Sequence, residues 1–296
     1  MKNVSKTSRS RGAGIHAVDF HTHIGRVKSF ARNLKGWVEA RLEDLIDYMN
    51  DVGVDWAVVL SLPHPEDNHS RIVSNEELLK IAGGCGGRII PFCSVDPRWS
   101  YALRDFKRLI ELGCKGLGEL KVPLRIDDPR LVELLRKAEE EGTPSLIHIE
   151  EGPLFYYCYG VEALRELLTQ LRELKLVLHG PGWWRHISAT VGEEVYPRGR
   201  IEEEGMVQEL MRKYDNIYAD ISATSGLNAL TRDLEYAVRF LEEFQDRILF
   251  GTDFPCVSEE GQFGPNRLHL DLLFRLELPR SALRKILREN AEKLLA

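Results

Sequence analysis

Eight short runs rich in Val, Ile and Leu recur along this chain, and a longer segment with helical spacing separates each from the next. In order they are "HAVDFH" (16–21), "DWAVVLSL" (55–62), "RIIPFCSV" (88–95), "CKGLGEL" (114–120), "PSLIHI" (144–149), "KLVLHG" (175–180), "NIYADIS" (216–222) and "RILFGTD" (247–253). The helical segments lie around 41–52, 73–82, 100–112, 128–141, 160–173, 203–214 and 228–244. In the fourth, Leu131, Leu134, Leu135 and Ala138 form one stripe with charges opposite. Strands alternating with helices argue for βα units around a parallel sheet. Eight of them predict an α/β chain folded as a (β/α)8 TIM barrel. A doubly wound open sheet typically has fewer strands, and no G-x-G-x-x-G follows the first run. With 296 residues, 43% of them hydrophobic, the chain suits one barrel domain over 15–296. The opening "MKNVSKTSRSRGAG" (1–14) is basic, Ser-rich and without the apolar centre of a secretory signal, and reads as a disordered leader.

The polar residues fall in a pattern. His21 and His23 close the first run, and residues i and i+2 of a strand point to one face, so two imidazoles can grip one ion. Alone, "HTH" reads more readily as two loop histidines making ordinary hydrogen bonds. His148 in "SLIHIE", His179 ending "LVLHG" and Asp253 after "ILFGT" lie at or near the ends of the fifth, sixth and eighth runs. In a barrel, strand C-terminal ends carry the active site. Four histidines and an aspartate gathered there predict a metal site. Imidazole with carboxylate suits zinc, iron, manganese or nickel better than magnesium or calcium. Zinc is the first expectation, being redox-inert with an open position for water. Glu119 in "GLGELK" ends the fourth run, either as a metal ligand or as an acceptor paired with Lys121.

Other properties narrow the setting. The chain carries 40 Lys plus Arg and 46 Asp plus Glu, a net charge of −6, so a nucleic-acid partner is not expected. Five scattered cysteines without a C-x-x-C pair read as reduced thiols of a cytoplasmic protein. No run approaches the ~20 apolar residues of a membrane helix. A small-molecule substrate is expected, and a homo-oligomer is left open.

Taken in this order, "DFHTH", "PSLIHIE", "LVLHG", "LFGTDFP" and the closing "ENAEKLL" (289–295) resemble the amidohydrolase superfamily of metal-dependent (β/α)8 barrels, across residues 15–296. The wording looks most like the amidohydrolase-2 branch. That branch includes hydrolases and metal-dependent decarboxylases such as aminocarboxymuconate-semialdehyde decarboxylase. The resemblance implies that His21, His23, His148 and Asp253 hold one metal, with His179 a catalytic residue beside it. Glu119 departs from that one-metal pattern. It looks more like the TatD-type deoxyribonuclease branch, where a strand-four Glu helps bind a metal pair and His148 and His179 take the second ion. One or two divalent transition-metal ions per chain are therefore expected. Some superfamily members carboxylate a strand-four lysine as a bridge; the adjacent Glu119 could fill that role here, so carboxylation of Lys121 is not expected.

The chemistry expected is metal-assisted hydrolysis. A bound metal lowers the pKa of water from ~15.7 toward about 7. Asp253 can take a proton from that water, and His179, when not a ligand, can donate to a developing oxyanion. The substrate is an amide, ester or lactone. The alternatives are a decarboxylase of a small carboxylic acid, a TatD-like binuclear phosphodiesterase or nuclease, and a metal-binding protein without catalysis. After the sixth run, "GPGWWRHISATVGEEVYPRG" (180–199) offers Trp183 and Trp184 as an apolar wall and Arg185 as a fork for a substrate carboxylate. Ordinary loop packing fits those three as well. Tyr156, Tyr157 and Tyr159 after the fifth run share that ambiguity, and His64 and His69 after the second read as loop residues.

Overall fold

Each of the eight apolar runs forms a strand of one parallel sheet in the computed structural model of the protein, which describes residues 16–29, 36–63, 70–152, 156–255 and 267–296. The strands are β1 (Ala17–Thr22), β2 (Val54–Leu60), β3 (Ile89–Cys93), β4 (Gly116–Leu120), β5 (Ser145–His148), β6 (Leu176–His179), β7 (Ile217–Asp220) and β8 (Ile248–Leu249). Their order in the sheet is their order in the sequence. β8 returns to β1 through two amides: Phe20 donates to Phe250 O at 2.9 Å, and Asp253 to His21 O at 2.8 Å. The result is a nearly closed (β/α)8 barrel. The β8 ladder is shorter than the run 247–253, because beyond Leu249 the chain stays beside β1 through single bonds. The leader 1–14, His64, His69 and most of the loop after β8 lie outside the described residues.

Helices fill the intervals, with local chemistry at their ends. The helix Pro129–Glu140 has Pro129 in its first turn, and its cap Asp128 accepts from Arg130 N. Its stripe of Leu131, Leu134, Leu135 and Ala138 is wholly buried, at ~1.5–3 kcal/mol for each leucine. The segment 228–244 is two helices, Ala223–Thr231 and Leu234–Glu243. Asp233 separates them by capping the second, its carboxylate accepting from Tyr236 N at 3.1 Å. The stretch after β6 opens on a short helix, Pro181–Trp184, because Gly180 (φ +95°) turns the chain and Pro181 starts it. Two small antiparallel sheets stand beside the barrel. One joins Gly25–Ser29, Gly36–Ala40 and Ser70–Ile72; the other pairs Glu150–Glu151 with Tyr156–Tyr157.

The core has two parts, set by strand parity. Ala57, Val59, Ile147, Leu178, Ala219 and Ile248 pack with the helices. The opposite face gives Val18, Phe20, Val58, Leu60, Phe92, Leu146, Val177, Tyr218 and Leu249, drawn from every strand but β4. This second set fills the barrel interior, and Ala291 and Leu294 of the helix Asn290–Leu295 join it beside Trp56 and Ile90. β4 gives a glycine instead: a Cβ on Gly116 would come within 2.4 Å of the Phe92 ring. No helix among the described residues is long and apolar enough to cross a membrane.

Candidate metal centre

Parity carries the polar side chains to the mouth. Two residues beyond Leu146, Val177 and Tyr218 come His148, His179 and Asp220, so each faces inward at the C-terminal end of its strand. β1 shifts register between Asp19 and Thr22, and His21 and His23 join them. His21, His23, Glu119, His148 and His179 are all buried, while the Asp253 side chain is 28% exposed. Asp253 takes φ +60°, a left-handed conformation that aspartate tolerates better than most residues.

The first focus lies between β1 and β8. His21 Nδ1 meets Asp220 Oδ2 at 2.6 Å, and His23 Nδ1 donates to Leu60 O at 2.9 Å. Each Nδ1 is therefore occupied by an acceptor, which turns Nε2 into the free lone pair. The two Nε2 atoms stand 3.2 Å apart. Asp253 Oδ1 is 3.5 Å from the first and 3.4 Å from the second. Three acceptors converging on one point leave a place that a cation satisfies. Burial works against charge on both imidazoles. Asp220 nonetheless lifts His21 above its ordinary value, and Asp253 with Glu119 lifts His23 to about 10. Carboxylates thus put a strong negative potential on this focus, which protons or a metal ion must balance.

The second focus lies between β4, β5 and β6. Glu119 Oε1 is 2.7 Å from His148 Nδ1, and His148 Nε2 is 3.1 Å from Glu150 Oε2. The other Glu119 oxygen faces back to the first focus, 3.5 Å from His23 Nε2 and 3.9 Å from His21 Nε2. Glu119 therefore stands between two sets of imidazoles with one oxygen toward each. Burial would raise its carboxyl, but His148 and then His23 and His21 hold it well below the usual range. His179 Nδ1 lies 3.0 Å from Ser222 Oγ, whose own proton goes to Asp220 Oδ2 at 2.8 Å. Ser222 thus accepts from His179, and the free atom of His179 is again Nε2. Burial and the neighbouring His21 push His179 well below its ordinary value, so it is a neutral ring with a lone pair. Three donor groups in the described residues have ligand atoms within 4.8 Å of one another: His21–His23–Asp253, His21–His179–Asp220 and Glu119–His148–His179. Imidazole nitrogen with carboxylate oxygen is a donor set for a borderline transition metal.

Three supporting acids escape a reading of the sequence alone. Asp220 holds His21 and Ser222 together, and Glu150 anchors the far nitrogen of His148. Asp19 accepts from Thr252 Oγ1 (2.6 Å), Tyr48 OH (2.8 Å), Thr252 N and His21 N, tying β1 to the end of β8. Burial outweighs these bonds and carries Asp19 up to about 6. A Cβ on Gly251 would lie 2.5 Å from Asp220 Oδ1 and 3.0 Å from His21 Cβ. Gly251→Ala is therefore expected to displace Asp220 and weaken metal affinity ~10–100-fold, the usual cost of disturbing a ligand's outer partner. Competition against a chelator reads this directly, and unchanged affinity would mean that Asp220 does not position His21.

The remaining candidates are placed differently. Trp183 and Trp184 are buried; Trp184 Nε1 donates to Asp220 O at 2.9 Å, and its ring meets Phe240 edge-on. It backs the wall behind Asp220. Arg185 donates to Glu151 O at 3.0 Å and faces Glu151 Oε2 at 3.4 Å, so its guanidinium is engaged by the protein. Lys121 forms no ion pair with Glu119 within 4 Å among the described residues. Burial works against its charge, and Glu119, Glu150, Tyr157 and Asp253 hold it above the ordinary lysine value.

Residues 18–296 match a family model described as amidohydrolase. No curated protein sequence matches the chain. Among solved structures, 2,6-dihydroxybenzoate decarboxylase from Rhizobium gives a TM-score of 0.62 at 18% identity, covering 95% of this chain and 98% of that one. A probable 2-pyrone-4,6-dicarboxylic acid hydrolase from Acinetobacter baumannii, with citric acid bound, gives 0.61 at 15%, with 95% and 99% covered. An amidohydrolase from Burkholderia multivorans with bound zinc gives 0.63 at 13%, again with 95% and 99% covered. At these identities the likeness is one of fold.

Proposed function

The chain belongs to the amidohydrolase family, and from that premise we propose that it is a metal-dependent hydrolase of a small amide, ester or lactone, working with two divalent ions. The observation that carries this reading is the convergence of imidazole and carboxylate ligand atoms on two adjacent points. His21, His23 and Asp253 would hold the first ion, with zinc the leading candidate. His148 and His179 would hold the second, and Glu119 would face both with one oxygen each. Bound there, the ions supply Lewis-acid chemistry, acidifying a water and polarising the oxygen of the scissile group.

The chain's own residues do the rest. Asp253 is the most exposed of the carboxylates at the first focus, so a carboxylate oxygen of it would be open to take a proton from an attacking water. His179, neutral with Nδ1 committed to Ser222, offers Nε2 as a ligand atom and not as a hydrogen-bond donor. This favours the two-ion reading over a role for His179 as oxyanion donor. Asp220 fixes the ring plane of His21 directly and that of His179 through Ser222.

Decarboxylation of a small carboxylic acid is the second reading, supported by the likeness to the dihydroxybenzoate decarboxylase fold and by the free ammonium of Lys121. Turnover in ¹⁸O-labelled water separates the two: hydrolysis places the label in the organic product, whereas decarboxylation leaves the organic product unlabelled and releases carbon dioxide. Glu119→Gln tests the ion count. Elemental analysis is expected to fall from two ions per chain to one, with the first focus retained. One ion in the wild type would refute the binuclear reading, and two in the variant would refute Glu119 as the residue the two ions share.

A further inference from the structure

The helix Leu42–Val52 buries Leu45, Tyr48, Met49 and Val52, the i, i+3, i+4, i+7 stripe of a core-facing helix. Tyr48 is the polar member of that stripe. A buried hydroxyl is costly unless it is bonded, and this one donates to Asp19 Oδ2 at 2.8 Å. The ring of Tyr48 stacks on Phe254, with centres 5.2 Å apart and planes 16° from parallel. Asp19 Oδ2 also accepts from Thr252 Oγ1 at 2.6 Å, and Asp19 Oδ1 from Thr252 N at 3.1 Å. Thr252 Oγ1 in turn accepts from Phe254 N at 3.2 Å. Tyr48 therefore holds the residues on both sides of Asp253: Thr252 through Asp19, and Phe254 by stacking.

Asp253 needs such a hold. Its φ of +60° is a conformation that persists only where the surroundings over-determine it. Its side chain is 28% exposed, so the backbone on either side must set where the carboxylate points. We propose that Tyr48 is a positioning residue for Asp253, its hydroxyl and its ring together aiming the Asp253 carboxylate at the first focus. Tyr48 supplies no ligand atom and acts only through Asp19, Thr252 and Phe254. This rests on the reading of Asp253 as ligand and base of a metal-dependent site, and adds to it the residue that keeps that carboxylate in place from the far side of the barrel wall.

The test measures zinc affinity of the full-length protein by competition with a chromogenic chelator, with circular dichroism on every preparation. Tyr48→Phe keeps the stack and removes the hydroxyl, and Tyr48→Leu removes both. Asp253→Gly removes the carboxylate while accepting the positive φ without strain. The zinc-binding step that Asp253→Gly weakens is the step of the first focus. Tyr48→Leu is expected to weaken that step ~10–100-fold, the usual cost of disturbing a ligand's outer partner, and Tyr48→Phe by less, because the stack remains. In the Asp253→Gly background neither change should weaken zinc further, since residues acting along one path are not additive. Should Tyr48→Leu not fold, Tyr48→Phe carries the same comparison. The proposal is overturned if the folded Tyr48 variants bind zinc as the wild type does. It is equally overturned if they lose the same factor with and without the Asp253 carboxylate, which would make Tyr48 a general support of the barrel. A wild type that takes up no zinc, or an Asp253→Gly chain that binds it unchanged, would overturn the functional reading as well, and both results are read before any Tyr48 variant is made.

Discussion

A chain carrying both His21→Ala and His23→Ala is expected to lose the ion of the first focus altogether. The two Nε2 atoms lie 3.2 Å apart, and among the described residues Asp253 is the only carboxylate that closes on both within 3.5 Å. Without the imidazoles, one exposed carboxylate and the far oxygen of Glu119 remain, too few donors for a tetrahedral transition-metal site. Elemental analysis of the purified variant should show at least one ion fewer per chain than the wild type. Activity should fall to background with it. The fold should survive, because both side chains project into the mouth and leave the Val18 and Phe20 contacts of the barrel interior in place. Circular dichroism before and after chelation separates loss of metal from loss of structure. A variant that keeps its full metal content would place the ion elsewhere.

The second large effect is expected from Asp253→Asn. The amide keeps one oxygen that can face an ion but no longer accepts a proton at neutral pH. General-base loss of this kind costs ~10²–10⁴-fold in rate. The loss should appear in kcat and in kcat/KM alike, because the proton moves in the transition state. Ion content should stay close to that of the wild type, which distinguishes this variant from the double histidine change. A variant within tenfold of the wild type would move the base role to another group.

Much of this was open to the sequence, for a physical reason. A barrel strand buried on both faces must be a run of Val, Ile and Leu, so a polar residue at its end stands out. His148, His179 and the pair His21 and His23 are visible on that ground. Asp220 is equally placed but harder to see, because "NIYADIS" puts it inside the apparent run; its shared parity with Tyr218 is the signal that finds it. Glu150 reads as loop charge because nothing local shows that His148 turns its far nitrogen toward it. The side sheets are hidden for the opposite reason: segments such as "GRVKS" carry too little apolar content to announce a strand. Trp184 looks like a pocket wall in sequence, and only packing against Phe240 and the Asp220 carbonyl commits it to the interior.

The bonds that join β1 to β8 also order events in time. His21 and His23 lie near the start of the described barrel and Asp253 near its end, and the Asp253 amide is held by the His21 carbonyl itself. A growing chain on the ribosome can present the histidines early, but the first focus gains its carboxylate only after the eighth strand docks. Parallel strands so distant in sequence pair late and slowly. Closure of the barrel and completion of the first focus are thus one step, and an ion bound there would be held tightly only by the finished protein.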